Sequence, residues 1–108
     1  MLNQVVIVGR LVKDPTLEER ENGGNYSFIT LAVPRSYKNA EGEYETDFID
    51  CVLWNGVASN TVEYCRKGDI VGVKGRIQTR IKEENEEKKK VTEIIAEKVT
   101  FLSSKSNN

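Results

Sequence analysis

Phe48 and Trp54 stand six residues apart in the stretch Tyr44–Trp54 (YETDFIDCVLW), on the same parity as Thr46 and Asp50. In an extended strand successive side chains face opposite sides, so Ile49, Cys51 and Leu53 point to a core and the two rings are left among polar neighbours. Flat rings on a water-facing surface suit two tasks. They stack against unpaired nucleobases, each of which presents a π-face, or they bury themselves against another subunit. Cations at strand spacing point to the first task. Lys74, Arg76, Gln78, Arg80 and Lys82 share one parity, opposite Val71, Val73, Ile77, Thr79 and Ile81, so groups able to meet phosphates line the face turned from the core. Tyr26 and Phe28 form another outward pair with Thr30 and Ala32, and Tyr37 follows in a loop with Arg35 and Lys38.

Each feature alone has a plainer structural reading. A basic stripe on a strand is more often a solvated face than a site, Tyr26 or Phe28 could fill a barrel corner, and Trp54 could cap the barrel. Their conjunction weighs more, because core packing gives no reason to place rings and guanidinium groups on one outward face. Stacking contributes about 1–3 kcal/mol per base, so three rings would supply roughly 3–9 kcal/mol before ordering costs. Net charge is −1, so stacking is expected to carry more of the affinity than charge. The acids cluster at 18–21, 41–45 and 83–87, largely in expected loops, and phosphate binding depends on the local field rather than the sum.

Other chemistries find few residues to use. There is no histidine and only two cysteines, Cys51 and Cys65, without a Cys-x-x-Cys pair. Both read as buried reduced thiols, and neither a metal site nor a cofactor is expected. No Ser-His or Cys-His pair and no Walker-type phosphate loop is present, so no catalytic residue is expected. The 108 residues allow one domain with a modest core. No apolar run reaches the roughly 18 residues of a membrane helix, and the N-terminus lacks a basic leader and cleavage site, so a cytoplasmic protein is expected.

These residues need strands to hold them. Residues 2–13 read as a strand partly buried on both sides, with Gly9 marking a bend or close backbone approach and Asp14-Pro15 ending it. Asn22-Gly23-Gly24 is a turn. Residues 26–33 form the second strand, with Ile29, Leu31 and Val33 inward and Pro34 as its end. Asn39 and Gly42 permit the reversal into the third strand at Tyr44. Residues 55–66 form the one helix, packing Val57, Ala58, Thr61, Val62, Tyr64 and Cys65 on one broad face and stopped by Lys67-Gly68. Residues 69–81 and 91–102 give the fourth and fifth strands, joined by EENEEKKK as a solvated hairpin loop, and 103–108 is a frayed tail. Five strands with a helix between the third and fourth is the order of an OB-fold, an all-β Greek-key barrel, here spanning 1–102. Its binding face uses the middle strands and the loops joining strands one to two and four to five.

The chain resembles the bacterial single-stranded DNA-binding proteins. The matching pieces are MLNQVVIVGRLVKDP, NGG, FITLAV, GEYETDFIDCVLWNGVA, YCRKGDIVGVKGRIQTR and VTEIIAEKVTFL, in order over nearly the whole chain. The resemblance implies an OB-fold that assembles as a homotetramer, binds single-stranded DNA without strong sequence preference and acts without catalysis in replication, recombination and repair. It implies base stacking on Tyr37, Phe48 and Trp54, with Phe28 and Thr30 on the same binding face. It also implies phosphate contacts along the fourth strand, notably Arg80. With Arg35 at the loop, Lys74, Arg76, Arg80 and Lys82 complete the expected polar set. Lys82 departs from the family, which usually places a further aromatic there. The chain also stops at SKSNN, so recruitment of other proteins through an acidic C-terminal tip is not expected. An assembly module related to the same family, such as a primosomal accessory protein, and an RNA-binding OB domain are the alternative readings.

Overall fold

A computed structural model describes residues 1–103. The elements are β1 (Val5–Leu11), β2 (Glu18–Glu19), β3 (Asn25–Lys38), β4 (Tyr44–Trp54), α1 (Asn55–Tyr64), β5 (Ile70–Glu84) and β6 (Glu87–Ser103). They form one sheet in the order β1-β5-β6-β4-β3-β2, and β1 also pairs with β3 through Arg10↔Ala32 and Leu11↔Leu31. That last pairing closes β1, β3, β4, β5 and β6 into a barrel, with α1 between its third and fourth strands. The expected OB-fold is therefore present, with β2 as a short addition to its rim. All barrel pairings are antiparallel except β4 with β6.

The interior follows the period-two pattern. Ile29 and Leu31 from β3, Cys51 and Leu53 from β4, Val71 and Val73 from β5, and Ile94 and Ala96 from β6 meet Leu11 inside, and Ala58 and Cys65 close one end. Each large aliphatic chain withdrawn from water contributes about 1.5–3 kcal/mol. Cys51 and Cys65 are buried free thiols. Burial, aided by the charge of Asp50, pushes Cys51 up to about 12, and burial also raises Cys65.

Two glycines let the barrel close tightly. A Cβ on Gly9 would lie 2.9 Å from Leu31 Cβ and Val33 Cγ2, the close approach its place in the first strand implied. At Gly75 the register with β6 slips, from Lys74↔Lys98 to Gly75↔Ala96, leaving Glu97 as the extra residue of a bulge. A Cβ there would overlap the Ile95 carbonyl.

Several boundaries differ from the sequence reading. Val6 and Val8 are exposed, so β1 is buried on one side only. Pro34 does not end its strand, because β3 runs on to Lys38 and Pro34 faces Thr46 in register. EENEEKKK forms the expected hairpin, but its arms are paired strand rather than loop. Glu83↔Lys88 and Lys82↔Lys89 continue the β5–β6 ladder to a turn at Asn85 and Glu86, both at positive φ (51° and 64°). This hairpin runs past the barrel, which leaves Ile77 and Ile81 exposed rather than in the core. The helix stops at Tyr64, which is exposed against Phe101 (centroids 5.9 Å apart), and Gly68 serves the turn into β5 instead of the helix end. Of the expected tail, Ser103 is the last residue of β6 and pairs with Ile70, and the remainder lies outside the described residues.

Gly75→Ala is expected to lower the free energy of unfolding by about 2–3 kcal/mol, because backbone must move to admit the methyl group. Urea unfolding checks this, and an unchanged midpoint would show that the bulge tolerates a side chain.

Candidate nucleic-acid interface

The outward parity of β3 and β4 assembles in rows fixed by register. Phe28 pairs with Val52, Val52 with Ile95 across the parallel junction, and Ile95 with Arg76, giving one continuous line over four strands. Val52 and Ile95 are buried although they lie outside the interior cluster. They form an apolar floor in the outer wall, with Phe28 at one end and Arg76 at the other. On one side of this line lies the pair Tyr26↔Trp54, and on the other Thr30↔Asp50, then Ala32↔Phe48.

The rings divide into a cluster and two outposts. Tyr26 stands between Phe28 (5.3 Å, edge-on) and Trp54 (5.6 Å), making a three-ring ladder. Trp54 sits where β4 turns into α1, immediately before Asn55 at φ 48°, and this places the indole at the rim. It is 37% exposed, with the Arg20 guanidinium 5.1 Å from its ring centroid. Phe48 is 67% exposed, ~20 Å further along β4 at strand rise. Beside it runs a shallow groove lined by Ile49, Asp50, Ile77, Thr92, Glu93 and Ile94. Tyr37 is also exposed, near the end of the β3–β4 hairpin where the register of β3 shifts.

The expected polar residues are held very unequally. Thr30 donates to Asp50 Oδ1 at 2.8 Å, beside Phe28 on the outward face. Arg76 lies at the end of the floor, with Nε 4.0 Å from Glu97 and an Nη hydrogen bond to Gln78 at 2.6 Å. Arg80 pairs with Glu93 at 2.9 Å and brings its guanidinium carbon 5.9 Å from the Phe28 ring. Lys74, opposite Val6 and Lys98, is exposed and forms no ion pair among the described residues. Lys82 lies on the distal hairpin, 3.8 Å from Glu84. Arg35 is turned to other work. It donates through Nε and one Nη to both oxygens of Asp47, at 3.0 and 2.9 Å, with Glu45 at 3.5 Å. That fork holds the Asp47 carboxyl below its usual range and raises Arg35. Arg35 and Asp47 share the parity of Ile29 and Ile49, so this pair lies on the side opposite Phe28 and Phe48.

Sequence reading pairs Tyr26 with Phe28 on the outward face without counting it in the stacking set, and it passes over Arg20 and Glu93. Tyr26 shares its parity with Phe28, so that signal was present. Arg20 comes from the turn after β2 and carries no periodic mark. Glu93 looks like any strand acid until the register places it beneath Arg80. Among the described residues, no His, Cys, Asp or Glu cluster is placed to hold a metal ion, and no helix is long and apolar enough to cross a membrane.

Comparison with known proteins identifies the family. A profile of the Single-strand binding protein family matches residues 2–102. The chain is 52% identical to single-stranded DNA-binding protein B of Bacillus subtilis, over 97% of this chain and 94% of that one. It is 51% identical to single-stranded DNA-binding protein 3 of Listeria innocua, over 99% of this chain and 68% of that one. Among solved structures, the Plasmodium falciparum SSB in complex with ssDNA superposes with a TM-score of 0.85 at 27% identity, covering 95% of this chain and 96% of that one. With its barrel and nearly its whole length accounted for, the chain belongs to the single-strand binding protein family.

Proposed function

We propose that this protein binds single-stranded DNA with little base preference and protects unpaired strands during replication, recombination and repair, as a non-catalytic binder. The observation that carries this reading is the outer wall itself. Exposed rings lie on one face beside a buried apolar floor, with Arg76 at the floor's far end and Arg80 near Phe28, an arrangement that interior packing does not require. Bases stack on Trp54, Phe28, Phe48 and Tyr37, and Tyr26 completes the ladder. Phosphates meet Arg76, Arg80, Lys74 and, on the hairpin arm, Lys82, while Thr30 offers a polar contact. Arg35 has the weakest claim of the polar set, being matched by two carboxylates on the opposite side. Family membership supports the reading, as does the DNA strand held by the related Plasmodium protein.

Stacking on rings accepts any base, and a ligand that engages only unpaired strands pulls hairpins open by mass action. The domain is residues 1–102, acting in the cytoplasm as a homotetramer. Apolar side chains left at the surface away from the rings support assembly: Val6 and Val8 on β1, and Ile81 on the β5–β6 arm.

Oligo-dT should quench the single tryptophan strongly, with similar curves for oligo-dC. Phe48→Ala and Phe28→Ala should each weaken binding by about 1–3 kcal/mol, roughly 5- to 150-fold, with unfolding still cooperative. A variant that binds as wild type removes its ring from the platform. In salt titrations Arg76→Ala should reduce the slope of log K against log salt by about 0.7, whereas Arg35→Ala should leave it unchanged. An equal fall in both would return Arg35 to the phosphate set. Light scattering should give the mass of four chains, and a monomer mass would refute the tetramer.

A further inference from the structure

The wall that carries the rings also holds a sequestered acid. Glu93 on β6 lies opposite Gln78 on β5, next to the apolar floor, and its side chain is only 5% exposed. Its ion partner is Arg80, whose Nε donates to Oε1 at 2.9 Å. A carboxylate fixed within a polyanion-binding face repels the ligand, so its presence there needs a compensating effect.

The geometry of the pair supplies one. A guanidinium carries five N–H donors in a rigid fork, and contact through Nε occupies the side of that fork. Both Nη groups make no hydrogen bond among the described residues, and the side chain is 41% exposed. The same contact sets the guanidinium beside the Phe28 ring. An unpaired arginine would sample many rotamers there and lose that freedom on binding. We propose that Glu93 is a positioning residue for DNA binding. It clamps Arg80 by Nε so that the Nη pair is presented next to Phe28 for two-point capture of a phosphate, as a neighbouring base stacks on that ring. The inference rests on the reading that this face binds single-stranded DNA.

The clamp and simple electrostatics predict opposite signs. If charge alone mattered, Glu93→Gln would remove a negative group from a polyanion site and tighten binding. If Glu93 positions Arg80, the same substitution loosens the fork and weakens oligo-dT binding, by roughly three- to tenfold, and it lowers the salt slope because the Arg80–phosphate contact is partly lost. Arg80→Lys keeps the charge without the fork and should weaken binding similarly. Adding Glu93→Gln to Arg80→Lys should then change little further. The assay is tryptophan quenching by oligo-dT at several salt concentrations, with cooperative thermal unfolding of each variant as the control.

Equal or tighter binding by Glu93→Gln overturns the clamp while wild-type binding stands. If Glu93→Gln does not fold, Arg80→Lys decides: affinity and slope equal to wild type overturn the clamp. If wild type itself fails to bind oligo-dT, the reading beneath it falls as well.

Discussion

A five-stranded barrel has one interior, and filling it uses only one side of each strand. That limit organises this protein. Once Ile29 and Leu31 on β3 and Cys51 and Leu53 on β4 are committed inward, strand geometry leaves Phe28, Phe48 and Trp54 no place inside. A slip of one residue in either strand would bring the rings in and expel the aliphatic chains, so the hydrophobic set that stabilises the fold also fixes the ring face outward. Gly9 and Gly75 serve the same closure, since a side chain at either position would collide with a neighbouring strand. Val52 and Ile95 show where the wall itself is dry: they are buried on the outward side, so the rings and Arg76 surround apolar surface rather than open water.

Much of this was legible in the residues because it depends on local alternation. Ring parity in Tyr44–Trp54 and the inward sets of β3 and β4 follow from period-two patterns, the one helix follows from its broad apolar face though not from its expected stop, and the barrel follows from their order. What failed to read depends on how far strands travel together. EENEEKKK looks like a solvated hairpin loop, yet all of it except Asn85 and Glu86 is paired strand, held by ladder hydrogen bonds, with Glu83↔Lys88 its one unlike-charge pair beside Glu84↔Glu87. Ile77 and Ile81 have core parity but lie where the hairpin has left the core behind. Pro34 stops a strand only if its missing donor is needed, and β3 passes through it at the margin of the barrel. The ring ladder through Tyr26 and the pairing of Arg80 with Glu93 belong to contacts between segments far apart in the chain, which no single segment announces.

The electrostatics are compatible with the phosphate contacts proposed for a chain of net charge −1. Of the five cations in the expected polar set, four are answered by acids: Arg35 by Asp47 and Glu45, Arg76 by Glu97, Arg80 by Glu93, Lys82 by Glu84. Apart from Arg80–Glu93, whose acid is buried, these pairs are exposed and each contributes little to stability. Their larger consequence is to lower the long-range field, which leaves short-range contacts to decide what binds. A surface of this kind favours ligands that offer flat faces to the rings over polyanions in general.

That balance bears on selectivity between paired and unpaired nucleic acid. A duplex presents phosphates at high density but keeps its base faces stacked inside, so a strongly cationic groove would hold it as readily as a single strand. Rings can be engaged only by bases already released from pairing. With the three-ring ladder at one end of β4 and Phe48 ~20 Å away at the other, several bases must be free at once to use the whole face. Partial neutralisation of the arginines therefore works with the ring spacing: it weakens the one attraction a duplex could exploit and leaves intact the one it cannot reach.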